Sequence, residues 1–503
     1  MNQLSGSLDQ FEKLLVRSRC IGKREQLFYG ITADSRNVRA GDLFLCLPGA
    51  TVDGHDYAEQ AIAKGAVALV VERELNVSVP QLIVPSVREA QAWIANAFYE
   101  EPSRALRVIG VTGTNGKTTT TYLLEHILNT CGHKIGLMGT IRMTIGDKTV
   151  PTKNTTMDAI DLQSAFREMK EAGCSHAVME VSSHALALGR VKGVRFRTGI
   201  FTNLTQDHLD FHGDMATYQE AKGLLFARMD QALSAKVNEA QFAIINADDP
   251  ASASYQSVTA AQVIRYGVQS VDADVRAINV QLGLDGTKFR LETFKGNMDV
   301  HIRLFGMFNV YNVLAAISAA LVEGLDLEKI VRAVERMNGV DGRFEPVLQG
   351  QPFLAVVDYA HTPDSLENVL RTAREFTQAR VLCLFGCGGD RDRTKRPIMA
   401  RIACEQSDFV VITSDNPRSE DPERILDDVY TGVVLAPHAK AQVVERMADR
   451  AEAIQRIISF AQAGDIVVIA GKGHETYQII QGVNYPFDDR EEVRKALRAN
   501  GYL

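Results

Sequence analysis

The stretch "ALRVIGVTGTNGKTTTTYLLEHILNTCG", residues 105–132, leaves a folding chain few options. An apolar run of strand length, a turn carrying Gly113 and Gly116, and a segment with helical spacing give strand, tight turn and helix in succession. Such a turn aims backbone N–H groups out of a helix N-terminus, and that is a cradle for anions, phosphate above all. The glycines fall as G-x2-G-x2-G-K-T, from Gly110 to Thr118; Val111 stands where the strict G-x4-G-K-[ST] form has its first glycine. The physics is unchanged. Gly113, Thr114, Asn115 and Gly116 form the cradle, Lys117 suits the β and γ phosphates, and the hydroxyls of Thr118 and Thr119 follow, with Thr118 placed to hold Mg²⁺.

The rest of the chain is organised around this unit. From 28 to 90, short strands, the helical "DYAEQAIAKGA" and the strand "VALVVE" make a small α/β unit, closed by the helix "VREAQAWIANAFYEEPS" and bounded at Pro102. Strands "RVIGVTG", "HAVMEVS", "TGIFTNL" and "FAIINAD" then alternate with helices, as in a doubly wound parallel sheet. After Gly339 the alternation restarts with "FLAVVDYA", "RVLCLFGCGGD", "DFVVITSDN" and "DIVVIAGKG". The expectation is therefore an α/β protein of three domains: residues 1–105, a small N-terminal α/β domain; 106–341, a central P-loop domain; and 342–503, a C-terminal Rossmann-like domain. In open α/β sheets ligands gather at the carboxyl ends of strands, so the strand-end loops of the second and third domains are expected to face a shared cleft.

Composition excludes several functions. With 55 Lys+Arg against 62 Asp+Glu, a net charge of -7 and no basic block, the composition argues against an obligate nucleic-acid binder, and small molecules are the expected partners. Seven cysteines lie mostly in apolar segments without CxxC pairing, Cys383 and Cys387 being spaced C-x3-C, and read as reduced core residues. The N-terminal "MNQLSGSLDQFEKLLVR" is too polar for a signal peptide, and no apolar run approaches the ~20 residues of a membrane span. A cytoplasmic, soluble monomer is the expectation.

Two strand ends, and the helix that follows the second, carry hard-cation chemistry. In "VMEVSSHALALGR", Glu180 closes an apolar run, where a carboxylate is costly to desolvate unless it meets a cation. "FTNLTQDHLDFHG" brings Asp207, His208, Asp210 and His212 together after another strand. Lys222 follows on a helix and, read alone, is one more solvated helix lysine, as the two histidines are loop hydrogen-bonders.

Together, "GTNGKTTT", "MEVSSHAL", "TNLTQDHLDFHG", "YQEAKGLLF", "GMFNVYNVLAA", "DGRFE", "VDYAHTPDSL", "FGCGGDRDRTKRP", "SDNPRSEDP" and "AGKGHETYQ" resemble, in this order and along the whole chain, the Mur ligases. These are ATP-dependent amide-forming enzymes that build the peptide stem of bacterial cell-wall precursors. "SDNPRSEDP" is similar to the meso-diaminopimelate-adding type; lysine-adding relatives usually lack an arginine in the place of Arg418. The resemblance implies that the γ-carboxylate of UDP-MurNAc-L-Ala-D-Glu attacks the ATP γ-phosphate. The acyl phosphate so formed is then attacked by the amine of meso-diaminopimelate, and a tetrahedral intermediate collapses to amide and phosphate. Water must be kept from that intermediate, so the third domain is expected to close over the second about a hinge near Gly339 to Gly342.

Residue by residue, the resemblance implies that Lys117 and Thr118 serve ATP and Mg²⁺, that Glu180 and His208 are further Mg²⁺ ligands, and that Lys222 carries a CO₂-derived carbamate helping to place a second Mg²⁺. Adenine and ribose contacts fall on Asn309, Arg343, Asp358 and His361; helix capping at Asn309, and loop bracing by Asp358 and His361, are the plain alternatives. The UDP-sugar falls on Ala33, Ser35, Ala50, Thr51, Val52, Asn154, Thr155, Thr156, Ser182, Leu188 and Arg190. Leu188 departs from the pattern, in which Gln is common, so one substrate hydrogen bond is not carried over. The amino acid falls on Arg391, Asp415, Asn416, Pro417, Arg418, Gly471 and Glu475, an arginine gripping the distal carboxylate and acids receiving the distal ammonium.

Other readings are a lysine-adding ligase or folylpolyglutamate synthase on the same scaffold, and a P-loop switch or motor ATPase that forms no bond. A dehydrogenase built on "FGCGGD" lacks the full G-x-G-x-x-G spacing and its acidic partner.

Overall fold

The structure, a computed structural model, describes residues 4–49, 52–150, 152, 154–229, 240–283, 286–436 and 438–502. Three sheets organise them. The first has five strands in the order Arg19–Ile21, Gln81–Ile83, Ala68–Val71, Asp42–Leu45 and Gly30–Thr32, parallel except for the first. The helix Val87–Phe98 starts where the Ser86 hydroxyl accepts the Glu89 N–H, and buries Ile94 and Phe98 against Leu43, Leu45 and Val70.

The second sheet has eleven strands. Its parallel centre runs Ile135–Met138, His176–Glu180, Arg107–Thr112, Phe196–Phe201, Phe242–Asn246 and Gln262–Gly267. Arg107–Thr112, His176–Glu180, Phe196–Phe201 and Phe242–Asn246 are the apolar runs seen in the sequence, buried almost throughout because helices cover both faces, whereas Gln262–Gly267 is only partly buried. A fully buried Val, Leu or Ile contributes about 2 kcal/mol, whereas an exposed ion pair contributes about 0–1, so the sheet rests on these runs rather than on the many surface pairs. From Arg107–Thr112 the chain crosses to one side, to Ile135–Met138, and later to the other, to Phe196–Phe201. That reversal is the switch point at which doubly wound sheets bind ligands, and the glycine turn sits on it.

Beyond the parallel centre lie additions that the sequence reading leaves out. A hairpin, Met143–Ile145 with Lys148–Val150, extends one edge; on the other, Val275–Gly283 joins parallel to Gln262–Gly267, and Gly286–Thr293 and Gly296–Ile302 follow antiparallel.

The third sheet runs Glu345–Val347, Leu354–Asp358, Ile466–Ala470, Val381–Cys387, Phe409–Ser414 and Val443–Met447, parallel except for its first strand. Its four expected strands are all present, and their carboxyl ends are Asp358, Cys387, Ser414 and Ala470. All seven cysteines are unpaired, five of them buried. Among the described residues, no helix is long and apolar enough to cross a membrane.

Candidate active site

The glycine turn after Arg107–Thr112 is fixed by what lies against it. A Cβ at Gly113 would fall 1.9 Å from Thr202 Oγ1 and one at Gly116 2.3 Å from Asn312 Oδ1, and both residues have positive φ. The Asn115 amide donates to Asn203 Oδ1 (2.9 Å), and its carbonyl accepts from the Thr202 hydroxyl (2.6 Å). Lys117 begins the helix Lys117–Thr130 and folds back over the loop, its Nζ donating to the carbonyls of Gly113 and Thr114, both at 2.8 Å. Burial holds its pKa below the ordinary lysine value, with Arg343 acting in the same sense and Glu180 and Asp207 opposing.

Glu180 is 1% exposed at the end of its strand. The sequence reading asks for a cation to offset that burial; the structure instead surrounds the carboxylate with donors. It accepts the Thr118 hydroxyl (3.1 Å), the Thr140 amide (2.8 Å) and the Thr140 hydroxyl (3.1 Å). Thr140, missed from sequence, stands two residues past the strand Ile135–Met138, the kind of strand-end position that flagged the other groups.

Lys222 overturns its plain reading. It is 1% exposed, not solvated, and its Nζ donates to the Gly113 carbonyl (2.8 Å) and lies 4.4 Å from the centre of the Tyr218 ring. Burial first, and the neighbouring Lys117 charge second, hold its pKa well below the usual lysine value. His208 has φ 55 and pairs with Asp207 at 3.3 Å, while His184 packs edge-on to it at 4.7 Å. Desolvation, with help from Lys117 and Lys222, lowers the His208 pKa and favours the neutral imidazole that can ligate a metal. Among the described residues no three of His, Cys, Asp and Glu converge as a ready-made metal cluster. A hard cation fits here only with Thr118, the phosphates and a further oxygen ligand sharing the coordination.

Of the four expected adenine and ribose contacts, Arg343, Asp358 and His361 line this cleft, a space of about 560 Å³. Arg343 reaches Thr118 Oγ1 (3.3 Å) and stacks 4.9 Å from the Tyr359 ring. Burial raises the Asp358 pKa, against the pull of Arg343 and the Phe344 amide, which donates to Oδ2 at 2.7 Å. Asn309 is not among the lining residues: its amide donates to the Phe305 carbonyl (2.8 Å) and its Oδ1 accepts from Asn312, so it braces its own helix, and Asn312 faces the cleft in its stead.

Of the expected UDP-sugar residues, Thr155 and Ser182 line the same cleft. Thr156 bonds the Glu180 carbonyl (2.9 Å), and Arg190 pairs with Asp158 (2.9 Å) while donating to the Thr156 carbonyl. Leu188 is half-buried at the end of the short helix Ser183–Ala187, and Asn154 is exposed. Ala33, Ser35 and Val52 lie in the N-terminal unit, where Ser35 donates to Gln60 Oε1 (3.1 Å) and Val52 is exposed. Ala50 and Thr51 lie outside the described residues.

A second space, of about 1170 Å³, gathers Arg391, Asp415, Asn416, Arg418, Gly471 and Glu475. The buried Pro417 joins Asn416 to Arg418, and Arg418, at φ 54, donates Nη1 to the Gly389 carbonyl (2.8 Å). Lys472, missed from sequence and fully buried, donates to Asn416 Oδ1 (3.2 Å) and Glu475 Oε2 (3.0 Å). Behind them the buried Arg450–Asp489 pair bonds the carbonyls of Ser414 and Ala470, fixing the two strand ends that carry Asp415 and Gly471. Asp207, His208, Tyr359 and His361 line both spaces, so the two are parts of one cleft between the second and third sheets.

A phosphate loop at a switch point, facing a polar pocket on a second α/β unit, is the arrangement of a P-loop enzyme with two substrate sites. Known proteins narrow this. The Mur ligase family catalytic domain matches residues 27–99, the Mur ligase middle domain residues 111–320, and the Mur ligase glutamate ligase domain residues 342–473. The chain is similar to the UDP-N-acetylmuramoyl-L-alanyl-D-glutamate--2,6-diaminopimelate ligase of Bacillus cereus, 50% identical over 93% of each chain. It is also similar to that of Geobacillus thermodenitrificans, 50% identical over 92% of this chain and 94% of the relative. A solved structure of a ligase of the same title is 35% identical, with a TM-score of 0.69 over 99% of this chain and 100% of its own. The chain belongs to the Mur ligase family.

Proposed function

We propose that this chain is an ATP-dependent ligase that joins meso-diaminopimelate to the γ-carboxylate of D-Glu in UDP-MurNAc-L-Ala-D-Glu, a step in making peptidoglycan precursors. The observation that carries the reading is the single cleft in which the phosphate loop and the Arg418 pocket share the walls Asp207, His208, Tyr359 and His361. The names of the relatives and the family membership support the same reading. The working division is 1–105 for the UDP-sugar, 106–341 for ATP and 342–503 for the amino acid.

A carboxylate is a poor electrophile, and phosphorylation by ATP gives it a leaving group. The first step brings two anions together, so Lys117 and the N–H groups of the loop serve to offset their repulsion. Mg²⁺, held by Thr118, Glu180 and His208, would supply further neutralisation of the phosphates. Only an unprotonated amine reacts with CO₂; the burial that lowers the Lys222 pKa favours that form and suits the carbamate role. In the second pocket Arg418 suits a distal carboxylate, and Asp415 and Glu475 suit the ammonium beside it. Lysine has no distal carboxylate and would leave Arg418 without its partner, the strongest basis for rejecting it.

The test is a substrate-omission assay that follows amide product and ADP together. Both should require the UDP-sugar and meso-diaminopimelate. Equal use of L-lysine would overturn the specificity, and ADP release without UDP-sugar would favour an ATPase.

A further inference from the structure

The two halves of the cleft are tied at one carboxylate that the site assignments do not include. Asp364 is the second residue of the helix Pro363–Glu375 in the third unit, whose start is fixed by a reciprocal pair of bonds between Thr362 and Ser365. Its Oδ2 accepts the Asn115 Nδ2–H at 2.6 Å and the Thr205 hydroxyl at 2.9 Å, both from the central unit, and Asn368 Nδ2 from its own helix at 3.2 Å. Asn115 lies in the phosphate loop, where its backbone is already clamped by Thr202 and Asn203, so its side chain is left to reach across the cleft. Thr205 is held to the same loop, its amide donating to Thr114 Oγ1 (3.0 Å). One oxygen of the third unit thus grips two rigid points beside the phosphate cradle.

Resting on the ligase reading above, we propose that Asp364 is a positioning residue that latches the third unit onto the phosphate loop while the acyl phosphate awaits the amine. With the latch shut, the amine nitrogen attacks the acyl carbon, a C–N bond forms, the C–O bond to phosphate breaks, and phosphate leaves with the electron pair as the nitrogen gives up a proton. With the latch loosened, water attacks the same carbon and returns the free carboxylate and phosphate, so ATP is consumed without amide. The signature is therefore the ratio of ADP released to amide formed. A role confined to folding would lower both in proportion.

The experiment measures this ratio for the full chain with UDP-MurNAc-L-Ala-D-Glu, meso-diaminopimelate and Mg-ATP, comparing wild type with Asp364→Ala, Asp364→Asn and Thr205→Val. Asp364→Asn keeps an acceptor oxygen, and Thr205→Val removes one hydroxyl at nearly constant shape, so the test stands even where Asp364→Ala fails to fold. The expected result is a ratio of about one in wild type and Asp364→Asn, rising to about three or more in Asp364→Ala and to an intermediate value in Thr205→Val. Ratios unchanged in both Asp364→Ala and Thr205→Val would overturn the latch alone. Wild-type protein that released ADP without any amide would overturn the ligase reading and the latch with it.

Discussion

An ammonium enclosed as Lys222 is loses its hydration and is met by one carbonyl and one aromatic face, with the Asp207 charge nearby, and these offset the loss only in part, so its pKa is lowered. Its retention there points to chemistry rather than stability. Lys222→Ala is expected to fold, with a melting temperature no lower than a few degrees below wild type, and to lose about 100-fold or more in turnover; near-wild-type turnover would remove Lys222 from the site. Arg418 carries a different expectation. Arg418→Ala should reduce kcat/KM for meso-diaminopimelate by about 10³- to 10⁴-fold while leaving the affinity for ATP within about threefold of wild type, read by steady-state kinetics and nucleotide titration. The phosphate loop was legible because glycines and a lysine at a strand end carry meaning by themselves, whereas Arg418 in "SDNPR" was reached through the family resemblance. Lys222 and Lys472 were not, because nothing in a helix or loop pattern says that a lysine is buried; only the packing of Tyr218 around one, and of Asn416 and Glu475 around the other, shows it.

Among the elements, the strand, turn and helix of the phosphate loop act as one unit. Gly116→Ala would need φ 87 of an alanine and would drive its Cβ to within 2.3 Å of Asn312 Oδ1, so nucleotide affinity should fall at least about 10-fold while the sheet remains folded, measured by ATP titration and circular dichroism. The turn after Phe242–Asn246 makes a prediction in pH. Asp248 accepts the amides of Val268, Gln269 and Ser270 and the hydroxyls of Ser270 and Tyr311. Burial alone would raise its pKa, and these donors overcome that and hold it at about 2, below the ordinary 3.8. A depressed carboxyl pKa stabilises the folded state fully above about pH 4 and loses that contribution as the pH falls toward 2. Wild type should thus exceed Asp248→Asn at pH 7, by at most about 2 kcal/mol once solvent screening of this partly exposed group is counted, the gap narrowing by pH 3, in urea unfolding. The central parallel strands were readable because burial on both faces leaves continuous apolar runs; Gln262–Gly267 and Val443–Met447, only partly buried, were not read. The antiparallel strands from 275 to 302 alternate polar and apolar with glycine turns between, a signal present in the sequence but not used. The hairpin Tyr477–Ile480 with Val483–Pro486 gives almost none, its second strand being exposed throughout.

For the whole molecule, the order of three α/β units followed from the restarts in the strand pattern, but their mutual placement did not. It depends on side chains far apart in sequence, such as Asn115 and Asp364, separated by 249 residues. The expected glycine hinge is likewise uneven. A Cβ at Gly342 would meet the His474 nitrogen at 2.1 Å, so that residue is pinned, whereas Gly339 has nothing within 4 Å. What unites the units is the claim that ATP activates a carboxylate in the shared cleft. Supplying UDP-MurNAc-L-Ala-D-Glu with ¹⁸O in the γ-carboxylate, together with Mg-ATP and meso-diaminopimelate, tests it by mass analysis of the phosphate released. With both carboxylate oxygens labelled, one ¹⁸O in each phosphate and the other in the amide carbonyl is the predicted result; unlabelled phosphate would contradict it.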